Sequence, residues 1–388
     1  MYSEAEVESW VLDRLGELEW DKLGASPVPG AGERESWNDI VLRGRLNQAL
    51  RNLNPGVPEE YLQQAIAEVI TPKSQSAIAE NARLHEILVH GYRGIEYIDH
   101  EGQIQNPTIY FFSADPNRND YTAANQIILR SPDHERRFDI VLFVNGLPLV
   151  IIELKKTSLR DDLEHAYNQL KTYVTEFPMA FRFANIAVVA NDSEARYGTP
   201  FTPFEHFAPW NVDDEGAPVH GPISNVDGEE VTATDLLLFG LFNVERFGQL
   251  FTDFTAFDDT PKGLVMRIAK PHQYFAVTKA VGSTVTAMNG DKRAGLVWHT
   301  TGAGKSMEME MYTAKIMRHP KMASPTVIVL NDRTELDQQL YDTFKISKLL
   351  PEAPTKIASR EELRKELSTR TSGGIYFSTL QKFGLSGT

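Results

Sequence analysis

Apolar and polar positions recur along the chain with two different periods, and the changes of period mark its elements. Apolar residues three and four positions apart follow Ser3 and Glu6, which form a capping box and predict an amphipathic first helix. Helical spacing returns at about 43–52, 58–70 and 76–87, and short runs with strand alternation come next. The pattern therefore predicts a group of helices before a sheet.

A stretch composed almost wholly of core residues, 138–156 (FDIVLFVNGLPLVIIELKK), predicts a β-hairpin with its turn at the Asn-Gly pair. Asp139, Glu153 and Lys155 interrupt its apolar runs. A charge inside such a strand is costly unless it is paired or bound to a metal, so these three residues are candidates for a functional site. The alternative is that Asp139 begins its strand in solvent and that ELKK is a solvated strand end.

The turn decides whether these charges meet. A two-residue loop would put Asp139 and Glu153 on opposite faces of the hairpin. We expect a three-residue loop, 144–146, with Gly146 as a left-handed bulge residue, which makes Glu153 a diagonal neighbour of Asp139 on the face that Lys155 shares. Two adjacent carboxylates repel unless a divalent cation neutralises them, and oxygen ligands suit Mg²⁺. Such a cation would activate water against a phosphodiester, and the lysine would orient the water or the phosphate.

The helical pattern after the hairpin carries Gln169 and Tyr173 four residues apart on one face. Together with Asp139 and the E-x-K sequence, this pair resembles the nuclease core of the PD-(D/E)xK family, in the subgroup related to RecB nucleases; Phe138 stands in place of the family's leading proline. The resemblance implies one catalytic group: Asp139, Glu153, Lys155, Gln169 and Tyr173. The first two would hold the metal, and a carboxylate on the first helix, such as Glu8, would complete its shell.

A second site is predicted further along the chain. DDTPKG at 258–263 is the candidate linker, and beyond it strand patterns alternate with helical ones, which is typical of a parallel α/β sheet. Residues 296–317 predict a strand, a loop and a helix in the order that a phosphate-binding loop requires. His299 replaces the first glycine of that pattern, and a glycine turn without a ligand is the alternative. The candidate residues for ATP and its Mg²⁺ are Thr301, Gly302, Ala303, Gly304, Lys305 and Ser306, the last as the metal ligand.

Three further pieces resemble motifs of superfamily 2 helicases. Gln273 lies upstream of the loop, where that superfamily places a glutamine that reads adenine. Two later segments look like its motifs that contact the DNA backbone: Asp332, Arg333, Leu336 and Asp337 in the first, Thr379 and Gln381 in the second. The resemblance implies a RecA-like motor lobe.

A RecB-like nuclease followed by such a motor closely resembles the restriction subunit of type I restriction-modification enzymes. The implied organisation is a nuclease domain at 1–257, a linker at 258–263 and an incomplete first motor lobe at 264–388. The implied partners are duplex DNA and the modification (methyltransferase) and specificity subunits. The resemblance also implies a second motor lobe that this chain lacks, so we expect weak nucleotide binding without translocation.

Amino-acid composition excludes few of these interpretations. The chain has no cysteine, which excludes disulfides and thiolate metal sites, and its hydrophobic content of 41% is ordinary for a globular protein. The net charge of −14 argues against a nonspecific nucleic-acid coat, though not against a local basic groove. Without a leader or a long apolar run, a cytoplasmic location and no membrane partner are expected. Two alternatives to the nuclease remain: a DNA-dependent ATPase whose first domain only binds DNA, and an assembly protein.

Overall fold

A computed structural model describes residues 3–23, 27–29, 33–156, 162–220, 223–224, 230–332 and 334–382. The chain forms two compact units. Unit 1 comprises Met1–Thr252 and Met266–Ile268, and unit 2 comprises Asp253–Val265 and Ala269–Thr388. Both contain helices and strands, as the α/β pattern predicted, and none of the described helices is long and apolar enough to span a membrane.

Unit 1 begins with helices and continues into a sheet. Its helices are α1 (Glu4–Glu17), α2 (Arg43–Leu53), α3 (Glu59–Ile70), α4 (Ala77–His90), α5 (Asp162–Glu176), α6 (Ala233–Phe242) and α7 (Val244–Asp253), the last of which ends in unit 2. Its strands are β1 (Asp21–Lys22), β2 (Tyr97–Ile98), β3 (Ile104–Gln105), β4 (Tyr121–Arg130), β5 (Glu135–Val144), β6 (Leu147–Leu154), β7 (Ile186–Ala190), β8 (Ala195–Gly198), β9 (Ile223–Ser224) and β10 (Glu230–Val231). The capping box predicted for the first helix is present at Ser3 and Glu6.

The main sheet of unit 1 has the strand order β1-β4-β5-β6-β7-β8. Two pairs, β1 with β4 and β6 with β7, are parallel, and the other pairs are antiparallel. The sheet is therefore mixed. Every residue of β6 and of β7 is buried, so these central strands read as continuous apolar runs.

Helices cover this sheet with their apolar stripes. Helix α5 packs on β6 and β7, and Leu163, Ala166 and Leu170 enter the same buried cluster as residues of β4, β5 and β6. Helix α1 buries Val7 and Val11 and lies beside β4, β6 and α6. Two helices thus reach the strands that carry the charged residues of the hairpin.

Unit 2 contains a small parallel sheet, which agrees with the predicted α/β alternation. Its helices are α8 (Pro271–Ala287), α9 (Lys305–Arg318), α10 (Thr334–Ile346) and α11 (Arg360–Thr369), and its strands are β11 (Thr255–Thr260), β12 (Gly263–Ile268), β13 (Val327–Asn331), β14 (Thr355–Lys356) and β15 (Ile375–Thr379). The last three residues of β12 are assigned to unit 1. Strand β15 lies between β13 and β14 and is parallel to both.

Two expectations for this part of the chain need correction. Residues 258–263 are not a linker, because they form the end of β11, a turn and the start of β12, and these strands pair with each other. The run before the phosphate loop forms no strand within the described part of unit 2: Leu296 is 85% exposed and Trp298 is 84% exposed. A strand needs a hydrogen-bonding neighbour, and no described strand lies beside this run.

Candidate nuclease and nucleotide sites

The turn between β5 and β6 is a two-residue loop. Asn145 has a φ of 53° and Gly146 a φ of 79°, and Val144 pairs with Leu147 across them. Two successive positive φ values define the hairpin turn that matches strand twist, and Asn-Gly is the pair that adopts it most readily. The prediction of a three-residue loop is therefore wrong.

The carboxylates nevertheless reach the same face, because an irregularity in β6 shifts the register by one residue. Phe143 pairs with Pro148, whereas Leu142 pairs with Val150, so Leu149 is the extra residue of a bulge. A register shift of one residue changes which side chains of the two strands share a face of the sheet. It does so for every pair beyond the bulge. The last ladder pair is Ile140 with Ile152, and the next positions on the two strands are Asp139 and Glu153.

Asp139, Glu153 and Lys155 converge at this end of the hairpin. One carboxylate oxygen of Asp139 accepts a hydrogen bond from the Leu154 backbone N–H at 2.8 Å. The ammonium of Lys155 lies 3.1 Å from Glu153 Oε1, and it also donates to the Leu154 carbonyl. Glu153 is fully buried, and its second oxygen, Oε2, has no hydrogen-bond partner. The hairpin thus holds a buried carboxylate beside a second carboxylate and a lysine.

Burial dominates the acid–base properties of this pair. Burial raises the pKa of Glu153 to about 8, and the negative charge of Asp139 adds to the effect, while Lys155 opposes it. The pKa of Asp139 is also raised, chiefly by burial, against the hydrogen bond from Leu154 and the charge of Lys155. Both carboxyl groups therefore favour a bound proton or a bound cation over an isolated negative charge.

Gln169 and Tyr173 of α5 meet as the (i, i+4) spacing predicted. The Gln169 side-chain amide donates to the Tyr173 hydroxyl at 2.6 Å, and that hydroxyl donates to the Arg137 carbonyl at 3.3 Å. The Tyr173 ring packs edge-on against Phe138 at 5.0 Å. Burial, followed by the charge of Glu153, raises the pKa of Tyr173 to about 12, so the hydroxyl remains protonated. The pair supports β5 directly beside Asp139.

Glu8 lies close to this group without joining a three-ligand cluster. Its carboxylate accepts hydrogen bonds from the side-chain amides of Asn125 and Gln126 on β4. Among the described residues there is no group of three or more His, Asp or Glu side chains placed to hold one metal ion. Asp139 and Glu153 are therefore the two carboxylates that could serve as direct ligands in this geometry.

The phosphate loop of unit 2 ends in a left-handed glycine. Gly302 has a φ of 86° and Gly304 a φ of 84°, and Gly304 caps α9, which begins at Lys305. A Cβ on Gly304 would lie 2.3 Å from the Gln273 side-chain nitrogen. The backbone thus turns sharply into a helix whose first amide groups point out of its N-terminus, an arrangement that suits an anion.

Side chains from α8 hold this loop. Gln273 donates to the Ala303 carbonyl at 3.2 Å, and its own carbonyl oxygen accepts from the Lys270 N–H at 2.9 Å. His272 Nε2 makes a second hydrogen bond to the Ala303 carbonyl at 2.9 Å. The Lys305 ammonium donates to the carbonyls of His299 and Thr300. Thr301 and Lys305 are exposed and Ser306 is half-buried, so the predicted loop residues lie at a surface accessible to a ligand.

His299, at the position of the missing glycine, is fixed by the next helix. Its Nδ1 lies 2.7 Å from a carboxylate oxygen of Glu308, which sequence inspection did not single out. A cavity of about 700 Å³ opens beside it between α8, α9 and residues 294–299. The loop therefore has both a braced backbone and neighbouring space.

Two family models match the chain. The model described as type I restriction enzyme R protein N terminus matches residues 1–206, which is more than half of the chain. The chain belongs to this R protein family. A second model, described as SWI2/SNF2 ATPase, matches residues 272–388.

Named relatives agree with the assignment of the chain to the R protein family. The "Type I restriction enzyme HindI endonuclease subunit" of Haemophilus influenzae is 33% identical over 399 residues, which cover 100% of this chain and 37% of that protein. The "Putative type I restriction enzyme MjaIXP endonuclease subunit" of Methanocaldococcus jannaschii is 30% identical over 400 residues, covering 97% of this chain and 37% of that protein. The "Type I restriction enzyme SauCOLORF180P endonuclease subunit" of Staphylococcus aureus is 24% identical over 267 residues, which cover 68% of this chain and 26% of that protein. The chain thus spans little more than a third of the first two relatives.

The later helicase-like residues of this R protein family member are only partly described. Arg333 lies outside the described residues, as does the side chain of Leu336. Asp337 is buried and bonds to Asn331, with Lys356 at 3.3 Å, so it braces unit 2 internally. Thr379 is the last residue of β15 and is buried. Gln381 follows just after this strand, and its side chain donates to the Asp332 carbonyl at 3.1 Å. Their contact with DNA stays a prediction.

Proposed function

We propose that unit 1 is a Mg²⁺-dependent DNA endonuclease centre of the PD-(D/E)xK type and that unit 2 is the ATP-binding first lobe of a superfamily 2 motor, together forming part of the restriction subunit of a type I enzyme. The observation that carries the proposal is the convergence of Asp139, Glu153 and Lys155 at one end of a buried hairpin. It is supported by membership of a family whose relatives are named endonuclease subunits.

The donor set suits a hard divalent cation. Asp139 and Glu153 provide carboxylate oxygens, which Mg²⁺ and Mn²⁺ prefer, and Glu153 Oε2 is buried without a partner. A cation held there by Asp139 and Glu153 would polarise a water molecule and neutralise charge on the scissile phosphate. Lys155 is placed to orient the attacking water or to hold a phosphate oxygen, because its ammonium is partly exposed beside Glu153. Gln169 and Tyr173 keep β5 in place and line the approach of the DNA strand.

The loop of unit 2 would bind ATP. Its helix N-terminus and glycine backbone form the anion site, Lys305 would exchange its carbonyl partners for phosphate oxygens, and Ser306 would hold the accompanying Mg²⁺. Gln273 is proposed to contact adenine from the first turn of α8. The match to SWI2/SNF2 ATPases supports this assignment.

The wider activity rests on the relatives. In a complete assembly the motor would draw duplex DNA past modification and specificity subunits, and the nuclease would cut away from the recognition sequence. The names of the relatives, as endonuclease subunits of type I restriction enzymes, support this part of the proposal.

The decisive experiment is nicking of supercoiled plasmid by this chain with Mg²⁺ or Mn²⁺. We expect cleavage by the wild type, loss of at least about 100-fold in Asp139→Ala and Lys155→Ala, and full activity in Asp133→Ala, whose carboxylate is exposed outside the site. Equal cleavage by wild type and Asp139→Ala would overturn the assignment of the site.

One observation favours a second candidate, a DNA-dependent ATPase in which unit 1 only binds DNA. The described residues hold two rather than three convergent metal ligands. Under this alternative the wild type would bind plasmid and hydrolyse ATP when assembled with its partner subunits, but it would show no cleavage that depends on Asp139.

A further inference from the structure

Arg137 is an exposed cation close to the carboxylates of the hairpin. It lies on β5 two residues before Asp139, so their Cα atoms are about 7 Å apart along an extended strand. The preceding residue, Arg136, bonds to Glu176 of α5. Consecutive side chains of a strand point to opposite faces, so Arg137 points away from Glu176, on the side of β5 that Asp139 shares.

The cross-strand neighbours on β4 support this direction. Leu129, opposite Arg136, belongs to the buried cluster that includes residues of α5. Ile128, opposite Arg137, is only half-buried. This face of β4 and β5 is therefore open to solvent beside the candidate nuclease site.

Three other cations on or next to these strands each form an ion pair: Arg130 with Glu135, Arg136 with Glu176, and Lys155 with Glu153. Arg137 forms no ion pair within the described part of the chain. The whole chain has a net charge of −14, and the two carboxylates of the site repel a phosphodiester. A DNA strand that approaches them therefore needs a local cation, and Arg137 is free to supply its charge.

The backbone that carries Arg137 is held in place by its neighbours. The Tyr173 hydroxyl donates to the Arg137 carbonyl at 3.3 Å. Phe138, the next residue, is fully buried, with its ring against Tyr173 and Phe181. A side chain on a fixed backbone loses less freedom on binding than one on a loop. Arginine also presents a planar pair of N–H donors to two oxygens of one phosphate, so this residue suits a phosphate at a defined position.

We propose that Arg137 binds a phosphate of the DNA strand that is cut, one or two nucleotides from the scissile phosphate. The inference rests on the proposed function. Phosphates of one strand follow each other about every 3.4 Å along the duplex axis, so such neighbours fit the span of about 7 Å between Arg137 and Asp139. The contact fixes the register of the strand over the carboxylates. Arg137 therefore contributes to DNA binding and not to metal binding.

The test combines two measurements on the 388-residue chain. The first is kcat and KM for nicking of supercoiled plasmid with Mn²⁺. The second is affinity for a short duplex between about 50 and 200 mM salt, in an Asp139→Ala background so that the duplex is not cut. The variants are Arg137→Ala and Arg137→Lys. Arg136→Ala is the matched control, because it removes the same charge from the next residue, whose guanidinium is paired with Glu176.

We expect Arg137→Ala to raise KM about 10-fold with kcat within about 2-fold of wild type, and to reduce the slope of log affinity against log salt by about 1. Mn²⁺ affinity and melting temperature should not change. Arg137→Lys should keep the wild-type slope because it keeps the charge. Arg136→Ala should match the wild type in both measurements.

An unchanged KM and salt slope in Arg137→Ala, or equal changes in Arg136→Ala, would overturn this inference. Nicking that Asp139→Ala abolishes would in that case leave the proposed function standing. Nicking that Asp139→Ala does not alter, or no nicking by the wild type, would overturn the proposed function and this inference together.

Discussion

Glu153 is a buried side chain whose proposed function comes at the expense of stability. Its carboxyl group has no exposed surface, one oxygen faces Lys155, and the other has no partner. Without a cation the folded protein keeps this group protonated up to about pH 8, whereas the unfolded chain ionises it near 4.5. Between these values the folded state binds more protons, so stability must fall as the pH rises through this window.

The first prediction follows from that sign. In chelator, Glu153→Gln should unfold less readily than the wild type at pH 8, and the difference in unfolding free energy should shrink toward about pH 5 by about 1.4 kcal/mol per pH unit or less. Urea denaturation at the two pH values measures it, with exposed Asp133→Asn as the control. The same pH slope in Glu153→Gln and wild type would show that Glu153 is not held protonated.

The second prediction concerns Tyr173, whose hydroxyl bonds to Gln169 and to the Arg137 carbonyl. Tyr173→Phe should lose about 1 kcal/mol of stability and lower plasmid nicking, with Mn²⁺ affinity within about 2-fold of wild type because the hydroxyl is not a proposed ligand. Tyr167→Phe is the matched control on the same helix, since its hydroxyl bonds to the Thr202 carbonyl. Nicking lowered equally by both variants would assign Tyr173 a purely structural part.

At the scale of elements, the β5–β6 hairpin depends on its turn for the position of the whole site. Gly146 has a φ of 79°, and a Cβ there would lie 2.4 Å from the Leu42 carbonyl oxygen and 2.7 Å from the Leu46 nitrogen. Backbone atoms cannot yield as a flexible side chain can. The turn is therefore held both by its own conformation and by the start of α2.

The third prediction tests this coupling. Gly146→Ala should destabilise unit 1 by more than about 3 kcal/mol, because left-handed strain and a backbone clash add together. Gly102→Ala has nearly the same φ, 78°, and open space around its Cβ, so it isolates the strain and should cost only about 1 kcal/mol. Chemical denaturation compares them, and equal losses would contradict the clash.

At the scale of the whole molecule, the two proposed ligand sites lie in separate compact units. The proposed cation site lies on β5 and β6 of unit 1, and the proposed phosphate loop lies just before α9 in unit 2. Each ligand stabilises the unit that binds it by mass action.

The fourth prediction is a pattern in differential scanning calorimetry. Mn²⁺ should raise one melting transition, and ATP added at constant Mg²⁺ should raise the other relative to Mg²⁺ alone, each by a few degrees at concentrations about 100 times the dissociation constant. Asp139→Ala should remove only the first shift and Lys305→Ala only the second. A single transition that responds to both ligands would show that the units unfold as one.

Sequence by itself identified the candidate residues for the chemistry. The signals for these residues are local patterns: charges inside apolar strand runs, an amide and a tyrosine four residues apart, and a glycine-rich turn before a helix. Such patterns need no coordinates, and they identify as candidates Asp139, Glu153, Gln169, Tyr173 and Lys305. Element types followed for the same reason, since they depend on period and capping.

Tertiary structure decided how these residues meet. The hairpin loop was predicted with the wrong length. The carboxylates nevertheless share a face, because a bulge at Leu149 shifts the register by one residue. Sequence spacing cannot distinguish a bulge in the turn from one in the strand. The run around Leu296 has strand character but no strand beside it among the described residues, since pairing is supplied by distant segments. Hydrogen bonds from Asn125 and Gln126 to the Glu8 carboxylate join β4 to α1, although these residues lie more than 100 positions apart in the sequence. Only tertiary packing brings such residues together.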